Sequence, residues 1–280
     1  MIIFKQAGHL TGYIGQQRTS GGQTGFVPTM GALHPGHLEL VRESRARNQL
    51  TVCSIFVNPT QFNNPDDFTH YPITIEKDIE QLLAAGCDAL FLPTVKEVYP
   101  PGHIKKHYEL GRMESLLEGR HRPGHFQGVC EVVDRLLDIV QPDRLYLGQK
   151  DFQQCMVIRK LLQLTGRDKE TEVSIVPTVR ESDGLAMSSR NLRLDEEQRE
   201  KAPLLYRALR HIADNYRSLP LEQLRGEAVK MLEDEGFAVD YVEITDAGSL
   251  EPLDAPSGKM VALVAASTGS IRLIDNILLN

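Results

Sequence analysis

Two histidines three residues apart, His34 and His37, stand in the stretch VPTMGALHPGHLEL (27–40), with Gly31 before them and Gly36 between them. Imidazoles at that spacing can point the same way from the first turn of a helix. They can donate hydrogen bonds to phosphate oxygens, and the glycines let a phosphate approach the backbone. Paired surface histidines share the pattern, as does a metal pair, although a metal site needs a third ligand and no obvious one lies near in sequence. A second stretch, FVNPTQFNNPDDFTHYP (56–72), offers Asn58 and Gln61. Their neutral amides suit a small hydroxy acid or amine, and the same residues also make ordinary turns. A third, LGQKDFQQ (147–154), has Gly148 for close backbone approach, Lys150 as a cation, Asp151 as a helix cap and Gln154 one turn further in. The fourth, TVRESDGLAMSSRNLRL (178–194), brings two serines and Arg190. Hydroxyls and a guanidinium can close over a triphosphate, and a linker with capping serines has the same composition.

The elements around these stretches put three of them at strand ends. TGFVPT (24–29), LTVCSIFV (50–57), DALFLP (88–93), DRLYLG (143–148) and EVSIVP (172–177) read as buried strands bounded by turn formers. Between them, Ile75, Ile79, Leu82 and Leu83 share one helical face, with Gly86 placed as a C-cap. Val129, Val132, Val133, Leu136, Leu137 and Val140 make a second stripe that Pro142 ends. This alternation predicts an α/β fold, a Rossmann-like doubly wound parallel sheet over residues 1–176. Ligands of such sheets bind beyond the carboxyl ends of the strands, at helix N-termini. From 177 to 280 the texture changes. Two charged amphipathic helices, LDEEQREKAPLLYRALRHIADNYRSL and LEQLRGEAVKMLEDEG, are expected before AVDYVEITDA and KMVALVAAS, which read as strands. This part is expected to be a smaller α+β domain that lids the site.

The 280 residues carry a net charge of -7, which argues against a general nucleic-acid binder. No run approaches the apolar length of a membrane span, and the start, MIIFKQAGHL, lacks the pattern of a secretory signal. Four scattered cysteines without a C-x-x-C pair read as reduced core thiols. A cytoplasmic globular protein is expected.

Read together, PTMGALHPGH, NPTQF, RPGHFQGV, GQKDFQQ, GLAMSSRN and the terminal RLIDN resemble the pantoate–β-alanine ligase family, in order and over essentially the whole chain. HPGH with MSSR is more distantly similar to the paired HIGH and KMSKS signatures of nucleotidyl-transferring α/β enzymes. The resemblance implies ATP-dependent joining of pantoate to β-alanine through a pantoyl adenylate, releasing AMP and diphosphate, in a cytoplasmic homodimer. It implies that Met30, Gly31, Ala32, Leu33, His34, Pro35, Gly36 and His37 line the ATP site, with His37 the proton donor to the leaving diphosphate. Gly148, Gln149, Lys150 and Asp151 would form a second nucleotide-binding stretch. Val179, Met187, Ser188, Ser189 and Arg190 would form a third. Lys150 would hold phosphate charge, His34 would contact phosphate or the nucleotide beside it, Gln61 would bind pantoate and β-alanine, and Gln154 pantoate, with Asn58, Arg122 and His125 as lesser contacts. Mg²⁺ is expected on the ATP phosphates. Asp78 stands as an outer candidate only, so no protein metal site is expected. The chain departs from the family pattern at Ile73, where an arginine is usual, and at Cys130, Glu131 and Arg135. A cofactor adenylyltransferase would share H-x-G-H but has no need of the two glutamines. A non-catalytic nucleotide or metal binder would bind without releasing diphosphate.

Overall fold

Thr24–Thr29 (β2) sits at the centre of a six-stranded sheet. The computed structural model describes residues 1–19, 21–62 and 68–279, so part of the polar 56–72 stretch, residues 63–67, lies outside the described residues. In chain order the sheet is built from β1 (Ile2–Phe4), β2, β3 (Leu50–Ile55), β4 (Ala89–Phe91), β5 (Arg144–Gly148) and β6 (Glu172–Val176). Their spatial order is β1-β4-β3-β2-β5-β6, and every pairing is parallel. The chain runs outward from β2 to β3 and β4, then returns to β5 on the other side of β2. That reversal is the switch point where doubly wound sheets open a crevice.

Helices cover both faces. Pro35–Arg47 and Ile75–Ala84 bury Leu40, Val41 and Leu82 against Val27, Cys53 and Leu90 on one side. Ala7–Arg18, His125–Val140 and Phe152–Thr165 cover the other with a larger core that includes Leu10, Val129, Leu137, Ile158 and Leu161. In chain order the helices are α1 (Ala7–Arg18), α2 (Pro35–Arg47), α3 (Ile75–Ala84), α4 (Val95–Val98), α5 (Leu117–His121), α6 (His125–Val140) and α7 (Phe152–Thr165). The stripe expected as a helix over 127–140 with Pro142 beyond it is the helix His125–Val140, and the left-handed φ of 46° at its C-cap Gln141 turns the chain.

The C-terminal part has its own sheet and its own core. Strands β7 (Ala238–Asp246), β8 (Met260–Thr268) and β9 (Ile271–Leu279) pair antiparallel in sequence order. Helices α8 (Glu196–Lys201), α9 (Leu204–Asn215) and α10 (Leu221–Glu233) accompany them. The first charged segment, read as one amphipathic stretch, is two helices, because Pro203 cannot continue α8. β8 is apolar almost throughout because both its faces are buried. Ala262, Val264 and Ala266 join the core under α9 and α10, whereas Val261 and Leu263 join the large core of α6 and α7. The β8 side chains thus join the C-terminal sheet to the core around α6 and α7. Among the described residues, no helix is long and apolar enough to cross a membrane.

Candidate active site

His34 is the N-cap of α2, extended at φ -135° and ψ 169°, and Pro35 opens the first turn, where its missing N–H costs nothing. The rings of His34 and His37 stack with centroids 4.0 Å apart. Gly36 is needed between them, because a Cβ there would lie 2.9 Å from the His34 ring. The His34 backbone N–H donates to Nδ1 of His37 at 3.4 Å. A neutral His37 therefore carries its proton on Nε2. Burial, then the positive charge of Lys150, lower the His37 pKa to about 4. Burial, then His37 and Lys150, take His34 to about 2, and its Nδ1 is buried without a partner. Both rings are neutral near pH 7, so they face a ligand as hydrogen-bonding groups with no fixed charge.

Behind them the 30–33 loop is held from beneath. The Asp78 side chain, fully buried at the start of α3, accepts the N–H groups of Ala32 (3.0 Å) and Leu33 (2.8 Å) and the Thr74 hydroxyl (3.0 Å). Ala32 sits at φ 49°, a left-handed conformation that costs roughly 1–2 kcal/mol in a non-glycine residue. The Asp78 bonds hold it there. Asp78 is an outer metal candidate by resemblance, but its carboxylate is spent on backbone amides.

Opposite this loop, β5 delivers Gly148 and a short 3-10 turn, Gln149–Asp151. The Lys150 side chain is 17% exposed, with Nζ 4.0 Å from Asp151. The third wall is the 178–190 segment. It is a hairpin, closed by bonds from Glu181 N to Leu185 O at 2.8 Å and from Met187 N to Val179 O at 3.0 Å. Ser188 accepts the N–H of Arg190, and Ser189 meets the Tyr71 hydroxyl at 3.3 Å.

These walls enclose a cavity of about 210 Å³ at the switch point. Met30, His34, Gly36, His37, Gln61, Gly148, Lys150, Asp151, Gln154, Val179 and Met187 to Arg190 all line it. Gly31, Ala32, Leu33, Pro35 and Gln149 do not: the first three are buried in the loop above Asp78, and the Gln149 side chain turns away to Asn276. One side of the cavity is apolar, formed by Phe56 and the Val129, Val132, Val133 and Leu136 stripe of α6. Gln61 is aimed into it by Asn58, whose Nδ2 bonds Gln61 Oε1 at 3.3 Å, and Gln61 Nε2 meets Met30 Sδ at 3.1 Å. Gly128 permits this approach, since a Cβ there would overlap the backbone of Thr60 and Gln61. The His125 ring bonds Gln61 O through Nδ1 at 2.8 Å, and burial, then Arg122, lowers its pKa to about 4. Asn58 and His125 therefore support Gln61 from behind and do not line the cavity.

A second cavity of about 430 Å³ opens between the sheets and meets the first at Lys150, Asp151, Ser188 and Arg190. Arg122, Arg193 and Arg272 line it, together with Glu118 and Asp240. Arg272 bonds both oxygens of Glu118, at 2.8 and 2.7 Å, and Tyr241 adds a third bond. Burial works against the Glu118 charge, but the Arg272 bonds outweigh it and hold the carboxyl below its usual range. In this cluster Arg122 and Arg272 fall in the stretches RPGHFQGV and RLIDN, whereas no sequence pattern marks Glu118 and Asp240, or Tyr71 and Asp78 as supports of the site. Ile73 is 72% exposed and lines none of these cavities.

A parallel α/β sheet with a half-apolar, half-cationic crevice at its strand-order reversal, roofed by a hairpin from beyond the last strand, defines a Rossmann-like, nucleotide-binding class of enzyme. The chain belongs to the Pantoate-beta-alanine ligase family, which it matches over residues 2–278. It is 43% identical to the pantothenate synthetase of Pelotomaculum thermopropionicum, covering all of this chain and 99% of that one. It is 47% identical to that of Herpetosiphon aurantiacus, over 92% of this chain and 94% of the other. The pantothenate synthetase structure from Thermus thermophilus superposes with a TM-score of 0.93 at 41% identity, over 99% of both chains. The pantoate-beta-alanine ligase of Francisella tularensis, solved with beta-gamma ATP and beta-alanine, gives 0.81 at 36% identity, over 99% of this chain and 97% of that one. The chain is a ligase that makes pantothenate from pantoate and β-alanine. The adenylyltransferase alternative falls with that assignment.

Proposed function

We propose that the enzyme activates pantoate with ATP before the amine arrives. A carboxylate oxygen of pantoate attacks the α-phosphorus of ATP, the bond from that phosphorus to the β-phosphate bridge breaks, and diphosphate leaves. The amine of β-alanine then attacks the acyl carbon, its C–O bond to AMP breaks, and the amine loses a proton. One observation supports this reading above the others: neutral amides, neutral imidazoles and an ammonium converge on one crevice with an apolar flank. The α6 stripe suits the branched carbon frame of pantoate, and Gln61 and Gln154 suit its hydroxyl and carboxylate oxygens. Lys150, the Nε2–H of His37, and Arg190 stand where charge develops on the departing diphosphate. The Nε2 proton of neutral His37 is first a hydrogen-bond donor. The negative triphosphate raises the pKa of the ring and readies it to protonate the leaving group.

Mg²⁺ carried by ATP would screen phosphate charge. Phosphate oxygens and water would hold that ion, with Asp151 the carboxylate in the cavity wall. We divide the chain functionally at 176/177, the C-terminal part roofing the site, and assign a cytoplasmic homodimer, checked by light scattering on the purified chain. Diphosphate release is the test. With ATP and pantoate alone, one equivalent per active site forms rapidly and release then stops. Adding β-alanine restores turnover and yields AMP. Release that requires β-alanine from the first equivalent contradicts the order.

A further inference from the structure

Asn276 lies in the middle of β9, on the antiparallel sheet, and is 1% exposed. Its Nδ2 donates to the carbonyls of both Gln149 and Lys150, each at 2.9 Å, and its Oδ1 accepts from Gln149 Nε2 at 3.2 Å. These three side-chain bonds all end on the turn that carries the Lys150 ammonium. The preceding residue does the same for the roof. Asp275 takes a two-point bond from Arg180, at 2.6 and 3.0 Å, and Arg180 also donates to Gly184 O and stacks 3.9 Å over Tyr206. The two neighbours are tied to each other, since Asp275 Oδ1 accepts the Asn276 N–H at 2.7 Å and Asn276 O accepts from Arg180.

The geometry points to Asn276 as a positioning residue that aims Lys150 from the other sheet. Only a carboxamide can do this here: two adjacent carbonyls need two donors from one atom, and the third partner needs an acceptor. A hydroxyl lacks the second donor, and a carboxylate would face the carbonyls with none. The same β9 register fixes the hairpin through Asp275, so one strand sets the spacing between the ammonium and the Ser188–Arg190 roof. Asn276 does not line the crevice between the imidazoles and Lys150, so its effect on turnover runs through Lys150.

The inference rests on the proposed role of Lys150, and a double-mutant cycle separates the two. In the full chain, Asn276→Ala is expected to lower turnover in pantoate-dependent ATP–diphosphate exchange by about tenfold, the scale of a displaced but present catalytic group. KM for pantoate stays within about twofold, because Gln61 and Gln154 are untouched. In a Lys150→Ala background the same change alters turnover by less than about twofold. Equal losses in both backgrounds, or a single-variant turnover within threefold of the parent, overturn the assignment. If Lys150→Ala itself leaves turnover unchanged, it is the role of Lys150 that fails. Should Asn276→Ala not fold, Asn276→Asp keeps the shape and the Gln149 bond while losing both donors, and the same cycle decides.

Discussion

The two loops that face each other across the cavity are held in opposite ways. The loop after β2, with His34 and His37, is fixed from within the parallel-sheet part by Asp78, 45 residues from Leu33 and on the covering helix α3. The turn after β5, with Lys150, is fixed from the other sheet by Asn276, 126 residues away on β9. One wall is complete once the parallel sheet has formed, and the other needs the C-terminal strands to dock. β8, buried on both faces, joins the two cores between which that docking takes place.

The largest expected effect belongs to the docked wall. Lys150→Ala should lower turnover by roughly 10²–10³, the scale of losing one transition-state donor, in a steady-state diphosphate assay. Turnover within threefold of the parent would remove Lys150 from the chemistry. On the built-in wall, Asp78→Ala leaves the Ala32 and Leu33 amides buried without an acceptor. Each orphaned group costs about 1–3 kcal/mol, read as a lowered midpoint in urea unfolding. An unchanged midpoint would mean that the loop holds its shape unaided. The hairpin comes next. Because Arg180 ties it to β9, Arg180→Ala should speed proteolysis between 181 and 190 several-fold, and saturating ATP with pantoate should slow it in the parent. Cleavage rates indifferent to both would show that the roof neither opens nor closes.

The smallest effect is on acid stability. His37 and His125 have folded pKa values of about 4, below the ordinary 6.5. Between those values the unfolded chain binds protons that the folded rings refuse, so stability falls as pH drops from 6.5 towards 4. His37→Gln should flatten that slope by at most about 1.4 kcal/mol per pH unit, one proton's worth. A slope that steepens would reverse the sign of the His37 shift.

Much of the parallel sheet is legible in the sequence, and little of what ties it. β2 to β6 can be read because buried runs such as LTVCSI end in turn formers, although the predicted 50–57 and 88–93 shorten to 50–55 and 89–91. β1, three residues long, has no periodicity to read. β9 is visible only as the motif RLIDN. Asp275 and Asn276, poor strand formers, break its alternation, and they do so because they face the other sheet's loops. His34, His37, Gln61, Lys150 and Gln154 stand out by residue type at strand ends, and the structure brings all five to one cavity. Asp78 and Asn276 do not stand out as anchors, because a buried side chain that holds a backbone amide or carbonyl leaves no local pattern in the chain.

The oxygen atoms offer the most direct test of carboxylate activation by adenylation. Pantoate labelled with ¹⁸O in its carboxylate, turned over with ATP and β-alanine and analysed by mass spectrometry, should pass one labelled oxygen to the phosphate of AMP. AMP without label, with the heavy oxygen in diphosphate or phosphate instead, would contradict the account.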